Sequence, residues 1–191
     1  LGRWAAARAG VPVVVHTIHG MSFNRTQSRM IQMIYRGLEK SAARSTTAFV
    51  AVANAMVDQA VEAGLAPRER FVTIRSGMET DRFVPNADLQ RRHRKDWGVN
   101  NDDIVVGTIA RLFVNKGYEE IMAAMASAVM REPRLRFVWV GDGAYRARYE
   151  RRLETMGLRD RVRMLGLVHP DEVASCINGF DIILHASRWE G

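Results

Sequence analysis

Short apolar runs alternate with longer amphipathic segments along most of this chain. The runs are rich in β-branched residues and are bounded by glycine, proline or asparagine, which is typical of strands buried on both faces of a parallel sheet. Strands are predicted at residues 11–15, 48–53, 71–74, 104–109, 136–140, 162–165 and 181–185. Because segments with apolar residues at helical spacing lie between them, the pattern predicts an α/β chain with parallel sheets.

One predicted helix has an unusually clear apolar side. It is expected to begin after an N-cap at Asn24 or Thr26 and to end near Ala43. Its apolar stripe consists of Met30, Ile31, Ile34, Leu38 and Ala42, and arginine and lysine occupy much of the remainder. Two interpretations are open for this pattern. We favour a helix packed on the core with a solvated basic face over a helix that lies on a membrane surface.

A change in composition divides the chain near residue 84. Residues 84–103 combine proline, asparagine and glycine with the densest positive run of the chain, at residues 91–95. Such a stretch predicts a junction between two domains, which comprise residues 1–84 and 85–191. Because the positive run has no interleaved aromatic residues, we interpret it as a solvated helix face and expect no nucleic-acid partner.

Composition and charge limit the classes of partner. The 191 residues are 47% hydrophobic and carry a net charge of +7, which favours a nucleotide diphosphate, a nucleic acid or an anionic membrane face. The single cysteine, Cys176, excludes an internal disulfide and is typical of a reducing compartment. The sequence has no apolar run approaching the roughly 20 residues that span a bilayer. Because it begins at Leu1 without a methionine, we expect it to be a piece of a longer protein.

Two cations follow the predicted strand at residues 104–109. Arg111 and Lys116 lie five residues apart on the loop that leads through Gly117 into a predicted helix. In open α/β sheets, ligands bind where strands end and helices begin, and a helix N-terminus favours an anion. Arginine as a planar fork and lysine as a point charge could both reach a diphosphate. The alternative is two solvated basic side chains on an ordinary loop.

Further motifs make the interpretation of this loop more specific. Arg111-Leu-x-x-x-Lys116-Gly117 is followed by Gly141-Asp142-Gly143 after the next strand and by Glu190-Gly191 after a later one. In this order and with these spacings, the motifs resemble those of the retaining GT-B glycosyltransferases of family 4. The resemblance implies two Rossmann-like domains with parallel sheets, both incomplete in this chain. It also implies transfer of a sugar from a nucleotide-diphosphate donor to a glycan, lipid or small-molecule acceptor, with retention of anomeric configuration.

The resemblance also implies roles for single residues. His19, which matches the family pattern better than His16, would approach the donor sugar or its phosphate. Glu190 would be the first glutamate of a Glu-x(7)-Glu motif and would contact the sugar hydroxyls, while the second glutamate would fall beyond the sequence. Leu167 and Val168 would lie near the nucleotide base. Arg111 and Lys116 would stand beside the diphosphate.

The Gly141-Asp142-Gly143 segment lets the backbone approach a ligand closely. It is not a dinucleotide fingerprint, because the third glycine is missing at the required offset.

No Asp-x-Asp triplet is present to hold a divalent metal against a diphosphate. We therefore expect no metal and no cofactor, with the nucleotide sugar acting as donor substrate. The expected location is cytoplasmic, with a peripheral contact on the inner face of the membrane left open because many relatives glycosylate lipids. The fragment alone is expected to be inactive, since open sheets cut in this way have unpaired edges. The alternatives are a nucleotide-sugar epimerase of similar fold and a basic nucleic-acid-binding module.

Overall fold

The structure, a computed structural model, describes residues 1–24 and 26–189. They form two compact units: unit 1 comprises Leu1–Met78 and unit 2 comprises Glu79–Trp189. Within the described residues, no helix is both long enough and apolar enough to cross a membrane.

Unit 1 is built on a parallel sheet of three strands in the order β1-β2-β3. Its helices and strands are α1 Gly2–Arg8, β1 Val15–Ile18, α2 Arg29–Ala43, β2 Ala48–Ala51, α3 Asn54–Glu62 and β3 Phe71–Thr73. One face of the sheet packs against α3, where Phe49 and Ala51 meet Val57 and Ala60. This face forms the core of unit 1, because its residues are buried on both sides of the contact.

The first strand lies further along the chain than predicted. Residues 11–15 were expected to form it, whereas β1 is Val15–Ile18 and His16 lies inside it. The prediction was wrong because pairing, and not hydrophobicity, sets where a strand begins: β1 pairs in parallel with β2, whose first residue Ala48 lies opposite Val15. His16 therefore belongs to the sheet, with its ring edge against Phe49 at a centroid distance of 6.1 Å.

Helix α2 differs from the favoured interpretation in both its start and its packing. Its N-cap is Ser28, whose hydroxyl accepts from the Ile31 N–H, and not Asn24 or Thr26. Most of the stripe is not packed on the core of unit 1 within the described residues, since Met30, Ile34 and Leu38 are 65%, 52% and 47% exposed.

The polar side of α2 faces the rest of unit 1 instead. Glu39 accepts hydrogen bonds from the Arg3 guanidinium at 2.5 Å and from the Ser22 hydroxyl at 3.2 Å. Ala42 and Ala43, in the last turn, are the buried residues of the helix. These contacts fix the rotation of α2, so its apolar stripe points away from the unit.

Unit 2 is built on a four-stranded parallel sheet in the order β6-β5-β4-β7. Its elements are α4 Ala87–Trp97, β4 Ile104–Ile109, α5 Tyr118–Arg131, β5 Leu135–Val140, α6 Arg146–Thr155, β6 Val162–Gly166, α7 Pro170–Ile177 and β7 Ile182–Ile183. Helices pack on both faces, as a parallel sheet requires. One face carries Leu112, Tyr118, Met122, Met125, Trp139, Tyr149 and Leu153. The other carries Val105, Val138, Val140, Cys176 and Phe180.

Strand β7 is shorter than the predicted residues 181–185. It contains Ile182 and Ile183, which lie opposite Val106 and Gly107 of β4. The Leu184 N–H still donates to the Gly107 carbonyl at 2.8 Å, and the chain then leaves the sheet. The polar residues that follow contact a loop instead of a strand, which hydrophobicity alone does not indicate.

Candidate active site

The loop between β4 and α5 carries the two predicted cations. Arg111 is exposed and Lys116 is half-buried. The guanidinium carbon of Arg111 lies 4.8 Å from the centroid of the Phe113 ring. The Phe113 ring in turn meets the edge of Tyr145 at 5.2 Å. A cation over an aromatic face is attracted by the ring quadrupole, so this aromatic pair supports Arg111 at the position where the sequence predicted it.

The turn into α5 depends on Gly117. Its φ of +72° lies in the left-handed region, which glycine adopts without strain. A Cβ atom at this position would overlap the carbonyl oxygen of Ala186, in the segment after β7. Glycine is therefore required here for two reasons, a backbone conformation and a close approach of two loops.

The loop after β5 packs directly on the loop after β4. A Cβ at Gly141, whose φ is +129°, would overlap the Ala110 carbonyl, and a Cβ at Gly143 would lie 2.5 Å from the Leu112 carbonyl oxygen. The Leu112 N–H donates to the Asp142 carbonyl at 3.0 Å. The space beside these glycines is thus filled by protein backbone. Their contact with a ligand stays a prediction.

The side chain of Asp142 already has partners. Its carboxylate accepts from the Gly143 N–H at 2.7 Å and from the Arg146 guanidinium at 3.0 Å. The Gly143 hydrogen bond and the Arg146 charge together lower the pKa of Asp142. The carboxylate is therefore ionised at neutral pH and holds the start of α6 against the end of β5.

The segment after β7 is attached to the β4–α5 loop by three residues, Asn115, Glu120 and Arg188, which we call the loop clasp. The Arg188 N–H donates to the Asn115 carbonyl at 2.8 Å. The Arg188 guanidinium donates through Nε to Glu120 Oε1 at 2.7 Å, and this bond lowers the pKa of Glu120. The Asn115 amide nitrogen lies 3.5 Å from the Trp189 carbonyl oxygen. Sequence reasoning missed the clasp, because no local pattern links positions 68 residues apart.

The other predicted residues lie at strand ends. Leu167 and Val168 follow β6; Leu167 is 82% exposed, while Val168 packs against the Val105 side of the sheet. Because all four strands of unit 2 are parallel, the segments after β4, β5, β6 and β7 share one edge of the sheet. His19 follows β1 and is exposed, but it belongs to unit 1. Glu190 lies outside the described residues.

The described residues contain no group of three or more His, Cys, Asp or Glu side chains that could hold a metal ion.

Family models cover almost the whole chain. The model for glycosyl transferases group 1 matches residues 90–191, and the model for glycosyltransferase family 4 matches residues 1–82. The chain belongs to the glycosyl transferases group 1. The family predicted from the motifs is therefore confirmed.

Curated relatives of this group 1 chain are named as transferases. A UDP-Gal:alpha-D-GlcNAc-diphosphoundecaprenol alpha-1,3-galactosyltransferase of Escherichia coli is 29% identical over all of this chain and 50% of its own length. An alpha-D-kanosaminyltransferase of Streptomyces kanamyceticus is 28% identical over 95% of this chain and 48% of its own length. The chain thus spans about half the length of these relatives.

Solved structures share the fold of this group 1 chain. Anabaena Alr3699/HepE in complex with UDP and glucose has a TM-score of 0.80 at 23% identity, over 97% of this chain and 49% of that one. Sucrose-phosphate synthase from Thermosynechococcus elongatus has a TM-score of 0.76 at 20% identity, over 98% of this chain and 48% of that one. The predicted GT-B-like α/β fold with parallel sheets is confirmed.

Proposed function

We propose that the whole protein is a glycosyltransferase that moves a sugar from a nucleotide-diphosphate donor to an acceptor and retains the anomeric configuration. The observation that carries the proposal is the position of Arg111 and Lys116, on one loop at the carboxyl end of β4 in a group 1 chain. Relatives named for UDP-galactose, kanosamine and phosphatidylinositol N-acetylglucosamine transfer support it. None of the reported relatives is named as an epimerase or a nucleic-acid-binding protein.

The chemistry requires positive charge beside the leaving group. Cleavage of the sugar–diphosphate bond builds negative charge on the diphosphate and positive charge on the anomeric carbon, so preorganised cations lower the barrier. We assign this role to Arg111 and Lys116. Glu190 would contact the sugar hydroxyls and His19 the sugar or its phosphate. Leu167 and Val168 would meet the base through their backbone.

Transfer with retention is the direct test of this function. The full-length protein, incubated with UDP-hexoses and a lipid-linked sugar acceptor, should release the nucleoside diphosphate and form a product with the anomeric configuration of the donor. Nuclear magnetic resonance of the first-formed product reads that configuration, and an inverted anomer would contradict the proposal. The rate should be the same in EDTA, because we propose that cationic side chains supply the charge that a metal would provide.

We also propose that the protein binds the inner face of the cytoplasmic membrane peripherally, through α2. The stripe residues Met30, Ile34 and Leu38 follow one another at successive turns and are roughly half exposed or more. Arg29 and Lys40 lie on the other side of the helix, where they line a pocket with Glu62 and Ala63 of the same unit. A helix with an exposed apolar side suits the boundary between acyl chains and head groups. Such a contact favours a lipid-linked acceptor among the three acceptor classes.

Vesicle binding tests the α2 surface. Ile34→Asp in the full-length protein should lower binding to phosphatidylglycerol vesicles about tenfold, since burial of one large apolar side chain contributes roughly 1.5–3 kcal/mol. The matched control is Met130→Asp on α5, because Met130 is 82% exposed and lies in the other unit. Binding of the Ile34→Asp variant equal to that of the wild type, with a lowered melting temperature, would contradict the proposal and indicate that another part of the polypeptide covers the stripe.

A further inference from the structure

The loop clasp joins two segments of unit 2 that the proposed chemistry needs together. One segment is the β4–α5 loop with Arg111 and Lys116, and the other leads from β7 towards Glu190. Between them run the 2.8 Å bond from the Arg188 N–H to the Asn115 carbonyl and the 2.7 Å bond from the Arg188 guanidinium to Glu120. The close approach of Ala186 to Gly117 completes the contact.

We propose that Arg188 and Glu120 are positioning residues, which fix the segment that precedes Glu190 relative to the cations on the β4–α5 loop. This inference rests on the proposed transferase function. Arg188 anchors the segment twice: its backbone N–H bonds to the turn that ends in Lys116, and its side chain bonds to the first turn of α5. The two bonds prevent the segment from sliding along the loop or turning about a single contact.

The relative position of the two segments matters because the reaction involves both the diphosphate and the sugar of one donor. The cations act on the diphosphate, while the segment after β7 leads to the residue assigned to the sugar. Misplacement of a group by about 1 Å can lower a rate about a hundredfold. Strand β7 alone gives weak support to this segment, since it contributes only Ile182 and Ile183 to the sheet among the described residues.

The Arg188–Glu120 ion pair is expected to contribute little to folding. The side chains of Arg188 and Glu120 are 38% and 51% exposed. Ion pairs with this exposure contribute little to stability, because water screens them. Replacement should therefore affect the geometry of the site and leave the fold intact. The backbone bond to Asn115 remains in every side-chain variant.

The test compares Arg188→Gln with the wild type in the full-length enzyme. We expect kcat for sugar transfer to fall about tenfold, because Arg188 then holds the sugar-side segment through its backbone N–H and no longer through its guanidinium. Affinity for the free nucleoside diphosphate, measured with UDP for a UDP-sugar donor, should change less than about twofold, since that ligand has no sugar to misplace. The swapped pair, Arg188→Glu with Glu120→Arg, should recover most of kcat.

The matched control is Glu119→Gln. Glu119 is the neighbouring glutamate on α5 and pairs with Arg148 at 2.9 Å and Arg152 at 3.4 Å. Its charge also acts on Arg188, so this variant removes a nearby negative charge and keeps the Arg188–Glu120 bond. The kcat of the Glu119→Gln variant should equal that of the wild type.

Three outcomes would overturn the positioning role: unchanged kcat in Arg188→Gln, a parallel loss of UDP binding and melting temperature, or no recovery in the swapped pair. A wild-type enzyme that transfers no sugar would instead contradict the proposed function itself.

Discussion

Replacing Lys116 or Arg111 by alanine in the complete enzyme should lower kcat about a hundredfold, because loss of one preorganised donor typically costs about 3 kcal/mol in the barrier. Both side chains lie on the β4–α5 loop, and Phe113 supports the Arg111 guanidinium. The diphosphate is already charged in the bound donor, and bond cleavage adds further negative charge to it. The loss should therefore appear in kcat, through the added charge, and also as a higher KM for the donor.

A cation at the far end of α5, the helix that follows the loop, provides the control. Arg131 lies in the last turn of α5, at the end opposite the loop, so Arg131→Ala should keep the kinetics of the wild type. Single-turnover assays on all three variants separate the chemical step from product release. Kinetics close to the wild type in both Lys116→Ala and Arg111→Ala would rule out the assigned roles.

The second large effect is expected from Gly117→Ala. The left-handed backbone costs an alanine roughly 1 kcal/mol, and forcing a Cβ into a filled space adds about 1–3 kcal/mol. The overlapping atom is the Ala186 carbonyl oxygen, which cannot move away as a flexible side chain could. We expect the free energy of unfolding to fall by about 3 kcal/mol in total and kcat to fall with it, because the segment after β7 is displaced from Lys116.

A substitution at Gly98 separates the cost of the left-handed backbone from the cost of the overlap with Ala186. Its φ is +71°, almost equal to that of Gly117, but no atom lies within 4 Å of the position of its Cβ. Gly98→Ala should therefore show the backbone cost alone, about 1 kcal/mol, with normal kcat. Urea unfolding followed by tryptophan fluorescence compares the two variants. Equal shifts in the unfolding midpoint would mean that the two loops do not press on each other at Gly117.

The strands of unit 2 were largely predictable because apolar residues predominate in each of them. Residues 104–109 were predicted and are β4, since burial on both faces leaves a clear hydrophobic signal. The predicted position of strand β1 was wrong because the limits of this strand depend on where β2 begins. Helix α2 has the periodicity expected of a core helix, but periodicity does not indicate which side faces the protein.

The candidate site was predictable only in part. Arg111 and Lys116 were found because both belong to one short motif on one loop. The clasp partners Glu120 and Arg188 are ordinary surface residues in the sequence, and only the fold brings them to 2.7 Å. The sequence singled out the glycines at 141 and 143 for close approach to a ligand, which stays a prediction, whereas the Ala110 and Leu112 carbonyls beside them could not be inferred from sequence.

The packing of the β4 and β5 loops has a consequence for protein engineering and for divergence within the family. The Ala110 and Leu112 carbonyls occupy the space that a Cβ at Gly141 or Gly143 would need, and the Leu112 N–H donates to the Asp142 carbonyl. We therefore expect that neither loop can change its length or path alone. A chimaera that takes residues 110–117 from a relative must take residues 141–145 from the same relative. Insertions that alter donor choice should accumulate in other loops, since these two can be inherited only as a pair.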